Sequence, residues 1–167
     1  MLLKILTLIL VTFIPFLELR ASIPLGLLVG KVEIFNLTLQ GFGLQWPLVF
    51  LVCVISNIIL GIFIYFFLNK FIHHLIKFEF FNKYYTKKVE KTQKKIKPYV
   101  NKFGIFGVAL FIGIPLPGSG SYTGALAAYL LGLDYKRFIL ANIIGVIIAG
   151  VAVTILTLVG RSIFSLF

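Results

Sequence analysis

Acidic residues are scarce in this chain: 5 Asp and Glu stand against 16 Lys and Arg over 167 residues, for a formal net charge of +11. Histidine is limited to the adjacent pair His73-His74, and the one cysteine, Cys53, lies inside an apolar run. These shortages exclude several function classes. A single cysteine forms no internal disulfide, and no Cys/His cluster has metal-ligand spacing. Neighbouring histidines on a helix point about 100° apart and do not chelate together. Five scattered carboxylates and two adjacent histidines supply no nucleophile–base–acid set, so no enzyme is expected. A Walker-type phosphate loop is missing as well, which argues against ATP-driven pumping by this chain. No cofactor and no metal site is expected.

Apolar residues are abundant. They make up 60% of the chain, and the mean hydropathy is +1.07. A soluble domain of this size has too much surface for its volume to hide so many. A lipid environment accounts for the composition, and a cell (cytoplasmic) membrane protein is expected. The basicity is local: nine lysines fall between Lys77 and Lys102. Confined to one segment, they read as a topology signal rather than a nucleic-acid surface, and no nucleic-acid partner is expected. Met1 to Leu17 has the outline of a signal peptide. Leu19-Arg20-Ala21 fits a cleavage site poorly, so the segment is expected to stay.

Four hydrophobic regions follow, of two kinds. Leu48 to Leu68 and Phe138 to Val159 are long and nearly free of charge. About 21 helical residues span roughly 31 Å, the thickness of the hydrocarbon layer. The other two regions are interrupted. Leu2 to Ile14 meets a break running from Pro15 to Pro24 before Leu25 to Val29. Phe103 to Ile114 meets Pro115-Leu116-Pro117-Gly118-Ser119-Gly120-Ser121 before Tyr122 to Leu133. Arms this short cannot cross alone, so each region is expected to be a re-entrant hairpin or broken helix whose break lines a cavity.

The positive-inside rule orients the arrangement. Residues 70–102 form a basic cytoplasmic linker, with an amphipathic helix from Tyr84 to Val100 that would lie on an anionic leaflet. The expected fold is therefore an all-α integral membrane protein of two inverted halves, 1–69 and 103–167. Each half is a hairpin followed by a transmembrane helix within one membrane domain, 1–167, and a homodimer is left open. Weak traces of duplication agree. Val54-Ile55-Ser56-Asn57-Ile58-Ile59 matches Ile139-Leu140-Ala141-Asn142-Ile143-Ile144, and Ile14-Pro15 matches Ile114-Pro115.

The two breaks carry a resemblance. Phe13-Ile14-Pro15-Phe16-Leu17-Glu18-Leu19-Arg20-Ala21-Ser22-Ile23-Pro24-Leu25-Gly26 resembles the first signature of the small multidrug export proteins. Ile114-Pro115-Leu116-Pro117-Gly118-Ser119-Gly120-Ser121-Tyr122-Thr123-Gly124 resembles their second. That group is similar to the wider DedA-like superfamily, which implies two opposed re-entrant helices and a transporter. The family name implies drug export, whereas the DedA-like relatives imply movement of lipids, including polyprenyl phosphates. The second motif carries no arginine, a departure from the DedA pattern.

Glu18 and Arg20 are the charged residues of the breaks. A charge at membrane depth costs at least about 2.5–3.5 kcal/mol, so its presence marks a candidate site. Glu18 could take up a proton or a cation, and Arg20 could grip a phosphate through its planar fork. Gly118, Ser119, Gly120, Ser121 and Thr123 surround a helix start suited to an anion. Pro15, Pro24, Pro115 and Pro117 shape the breaks, and Asn57 and Asn142 are expected to satisfy open backbone groups there. The expected function is secondary transport or flipping, proton-coupled in one form, of an amphiphilic anion such as a lipid (polyprenyl) phosphate. Export of small cationic drugs and a non-transporting scaffold are the alternatives.

Overall fold

The structure, a computed structural model, describes residues 1–34, 37–75, 103–116 and 119–164. The amphipathic helix expected between Tyr84 and Val100, with most of the basic linker, lies outside the described residues, as do Pro117 and Gly118. The helices are α1 (Leu2–Phe13), α2 (Glu18–Leu27), α3 (Trp46–Leu75), α4 (Phe103–Gly113), α5 (Ser121–Leu130) and α6 (Tyr135–Phe164). The order repeats: a short helix, a break, a second short helix, then a long one. The second short helix has 10 residues in both halves and the long helix has 30.

Proline sets the first break. Ile14 precedes Pro15, and the proline ring pushes the preceding residue out of the helical region. Ile14 accordingly adopts φ −76°, ψ 125°, and α1 ends. The non-helical stretch is shorter than the sequence suggests. Pro24 sits inside α2 rather than closing the break, so Glu18 and Arg20 occupy the first turn of a helix. Proline's fixed φ is a helical value, so the ring costs α2 a hydrogen bond without ending it.

Each short pair folds back on itself. Thr12 Oγ1 donates to Ser22 Oγ at 2.8 Å, and one turn away Leu8 packs beside Gly26. These contacts make α1 and α2 an antiparallel hairpin. In the second half Ile112 of α4 lies against Gly124 of α5. A 10-residue helix is about 15 Å long, half of a hydrocarbon layer. The chain is mostly helical, as an all-α fold expects, and the link from α2 to α3 adds a short hairpin in which Val29–Ile34 (β1) and Leu37–Phe42 (β2) pair antiparallel, from Val29 opposite Phe42 to Ile34 opposite Leu37. Apart from this hairpin the regular secondary structure among the described residues is helical.

The long helices have the inverse of a soluble pattern. Trp46–Lys70 and Tyr135–Gly160 are each long and apolar enough to cross a membrane. Their outer faces carry Leu51, Ile55, Ile59 and Phe63 on α3, and Ile144, Ile148, Val151 and Ile155 on α6. Their inner faces bury Ser56, Asn57, Asn142 and Thr154. α3 packs on both α5 and α6, and α2 packs on α3 and α6, so the halves interlock. Small residues bring the helices close. A Cβ on Gly61 would lie 2.5 Å from Asn142 Oδ1, and one on Gly145 would lie 2.7 Å from the Ala109 carbonyl.

The two hairpins approach α3 toward opposite ends of its Trp46–Lys70 stretch. Gly26 of the first packs on Val49. At the other end the Tyr65 hydroxyl donates to the Leu133 carbonyl, and its ring stacks on Phe138 at 4.5 Å. The turn at Leu133 is a Schellman-type stop. Gly132 takes φ +71°, and Leu133 N–H reaches back to the Ala128 carbonyl.

Candidate functional site

The tips of the two hairpins meet, and each completes the other's broken backbone. α5 begins with amide groups that have no partner in their own helix, as every helix does. Ser121 N–H donates to Glu18 Oε2 at 3.1 Å, and Tyr122 N–H donates to Oε1 at 3.2 Å. Asn57 Nδ2, from near the middle of the Trp46–Lys70 stretch, adds a 3.4 Å contact to Oε2. Glu18 is thereby 4% exposed. The anion anticipated at this glycine-rich helix start is supplied by the chain itself.

Arg20 serves the opposite pole. Its Nη2 donates to the Ile114 carbonyl, at the end of α4, at 3.2 Å and to Ser119 Oγ at 2.9 Å. Ser119 in turn donates to the carbonyls of Ile114 and Leu116. The second hairpin reciprocates, for Tyr122 Oη donates to the Phe13 carbonyl at the end of α1, at 2.6 Å. Among the described residues the ion pair within 4.0 Å is Asp134–Arg137, so Glu18 and Arg20 are not in direct contact. Residues two apart on a helix do not face each other.

Backbone geometry marks the same place. Phe16 and Glu18 hold φ of +71° and +45°, values that cost non-glycine residues free energy and cluster at functional sites. Gly120 is required by contact, because a Cβ there would lie 2.4 Å from Glu18 Oε2.

A cavity of about 310 Å³ opens beside the tips, lined by Pro15, Phe16, Glu18, Arg20, Ile64, Leu68, Ser119, Tyr122, Thr123 and Leu126. It brings together Glu18, Arg20, Ser119 and Thr123 from the expected site. Gly120 and Ser121 are buried beside it, Ser121 contributing its backbone N–H. Pro115 turns the second break, where Leu116 N–H bonds the Ile114 carbonyl. One expectation needs correction. Asn142 does not reach a break: its Nδ2 donates to the Ile58 carbonyl of α3 at 3.1 Å, because the gap above Gly61 draws its side chain to the α3–α6 contact. Asn57 does reach the site, though it meets a carboxylate rather than backbone. Tyr122 and Phe16 are missed by the sequence reading. An aromatic with a polar tip, directly after a Gly-Ser-Gly-Ser run, was the available signal for the first.

The comparison with family models matches residues 18–152 to the family described as putative small multi-drug export protein. Comparison with curated proteins and with solved structures finds no match. The matched stretch begins at Glu18 and takes in α2, α3, α5 and the second break, all the partners of the Glu18 carboxylate. The chain belongs to the putative small multi-drug export protein family.

Proposed function

We propose that the protein is a secondary membrane transporter that passes small amphiphilic molecules between the tips of two opposed hairpins. The cavity carries this reading: apolar walls of Phe16, Ile64, Leu68 and Leu126 suit the body of an amphiphile, with Glu18 and Arg20 at its charged end. Membrane insertion accounts for the apolar outer and polar inner faces of α3 and α6. The basic segment supports an orientation with the Lys70 end of α3 at the cytoplasmic face of the cell membrane, where that segment would meet anionic lipid. Contacts of the two hairpins toward opposite ends of the Trp46–Lys70 stretch support inverted, re-entrant halves of the kind the DedA-like resemblance implies. The cavity, extending along Ile64 and Leu68, would then open inward.

The geometry changes the order of the substrate readings. With Glu18 seated on the start of α5, the glycine-rich turn no longer argues for a bound phosphate. Multi-drug export, the activity in the family's description, comes first, with small amphiphilic cations as the substrates and ion coupling through Glu18. Movement of a lipid phosphate is the second reading, and it rests on Arg20, whose hydrogen-bond partners are neutral groups and whose Nε has no hydrogen-bond partner.

Proteoliposomes test both. Purified protein should move a cationic dye uphill under an imposed ion gradient, and Glu18→Gln should abolish uphill movement while the protein stays folded. Flux of labelled lipid phosphate without dye flux would replace the first reading by the second. Flux of neither would refute transport. Single cysteines introduced at Lys91 and Asp134 should label from one face and one at Asn36 from the other; any other pattern would overturn the inverted halves.

A further inference from the structure

Asn57 uses half of its amide. Its Nδ2 donates to Glu18 Oε2, whereas Oδ1 is buried and has no partner, in a residue 1% exposed. Ser121 is divided in the same way. Its backbone N–H donates to the same Oε2, and its fully buried hydroxyl is unpartnered. Buried polar groups are nearly always paired, so two exceptions on the same carboxylate oxygen call for a cause. An ionised Glu18 cannot supply one to Asn57, since a carboxylate and an amide oxygen are both acceptors. A protonated Glu18 can, because its carboxyl carries one O–H donor.

We propose that Asn57 is the positioning residue of a proton site at Glu18, holding the carboxylate through Nδ2 and the carboxyl through Oδ1. The proposal deepens the ion-coupled transport reading and rests on it for its purpose. Uptake adds one proton from water in the cavity to a Glu18 oxygen, and release returns it; no electron moves. The consequence lies at α5. The protonated oxygen becomes a donor and a weaker acceptor, so the N–H group it held at the start of α5 loosens, and with it the joint between the hairpin tips. The released Ser121 hydroxyl is then free to find a partner.

Few other charges face this site. Arg20 is on the same helix, and Tyr122 is the titratable group brought by α5. At this level α3 presents Asn57, α1 presents Thr12, and the charged residues of α6 sit near its ends at Lys136, Arg137 and Arg161.

Infrared difference spectra of the full-length protein in lipid, recorded on acidification, test the assignment without any flux measurement. Wild type should gain a protonated-carboxyl C=O band that Glu18→Gln removes. In Asn57→Leu, which fills a similar volume without an acceptor, the band should move to higher wavenumber. If Asn57→Leu does not fold, wild type carrying asparagine labelled at the side-chain carbonyl carbon should show one amide band shifting down as Oδ1 gains a donor. Absence of a Glu18-dependent band, or a band that does not move in folded Asn57→Leu, or an unshifted amide band in labelled wild type would overturn the proposal. A protein that gives the expected spectra and moves no amphiphile would refute transport while leaving the proton site in place.

Discussion

Gly120→Ala measures the strength of the joint between the hairpin tips. The added Cβ would lie 2.4 Å from Glu18 Oε2 and 2.8 Å from both Cδ and Oε1. Carboxylate and helix start cannot both stay where they are. Retreat of Glu18 would weaken its bonds from Ser121 N–H, Tyr122 N–H and Asn57 Nδ2. Hydrogen bonds to a charged group contribute about 1.5–3 kcal/mol each, so losing the equivalent of one or two should destabilise by about 3 kcal/mol. For a chain of this size each kcal/mol moves Tm by about 2–4 °C, which places the expected drop near 10 °C in a thermal melt in lipid nanodiscs. Gly107→Ala is the control, since its Cβ meets nothing within 4 Å, and it should leave Tm unchanged or raise it slightly through helix propensity. Removing the carboxylate should absorb the contact part of the effect, so in a Glu18→Ala background Gly120→Ala should retain only the backbone strain of a side chain at φ +158°, about 1 kcal/mol. A Gly120→Ala melt within about 2 °C of wild type would refute the joint as described.

Arg20→Lys keeps the charge but loses the geometry that spans the Ile114 carbonyl and Ser119 Oγ; dye flux in liposomes should fall, and fall further in Arg20→Ala. Tyr122→Phe removes the donor to the Phe13 carbonyl while keeping the ring in the cavity wall, so stability should drop by about 1 kcal/mol with dye affinity unchanged. Gly61→Ala should be destabilising by about 1–3 kcal/mol, because its Cβ would lie 2.5 Å from Asn142 Oδ1. Shortening the neighbour in Gly61→Ala/Asn142→Ala should recover part of that loss in the same melt.

What the sequence makes legible follows from physics that acts over one or two turns. Long uncharged runs give α3 and α6, and Pro15 gives the end of α1. Glu18 and Arg20 stand out because charge is rare among apolar residues. Contacts across 94 to 104 positions leave no local trace. The reach of Glu18 to the start of α5 depends on the hairpins meeting tip to tip, and Asn142 is drawn to α3 by a gap at Gly61 that no local pattern announces. Pro24 shows a different limit, since its ring permits both a break and a helical position, and packing decides. The strands at Val29–Ile34 and Leu37–Phe42 lie, Val29 apart, outside the four hydrophobic regions, and their pairing rests on backbone groups that the length of an apolar run does not register.

The placement of the two charges follows from the dipoles they meet. A helix that stops inside the protein presents carbonyl oxygens, a partial negative charge, and one that starts there presents amide hydrogens, a partial positive charge. The second break offers both at once, the end of α4 and the start of α5. From one turn of α2 the first hairpin supplies a charge to each: Arg20 goes to the Ile114 carbonyl and Glu18 to the amides of Ser121 and Tyr122. A Glu–Arg pair closed on itself would leave the end of α4 and the start of α5 without these partners. The first break carries no such pair of charges opposite it, and the Tyr122 hydroxyl suffices for its Phe13 carbonyl. Glu18 and Arg20 therefore hold the architecture as well as the charged end of the cavity. A loss of flux in either variant assigns a transport role only when the melt shows the tips still joined. Glu18→Gln, which keeps an acceptor for α5, is for that reason the sharper substitution than Glu18→Ala.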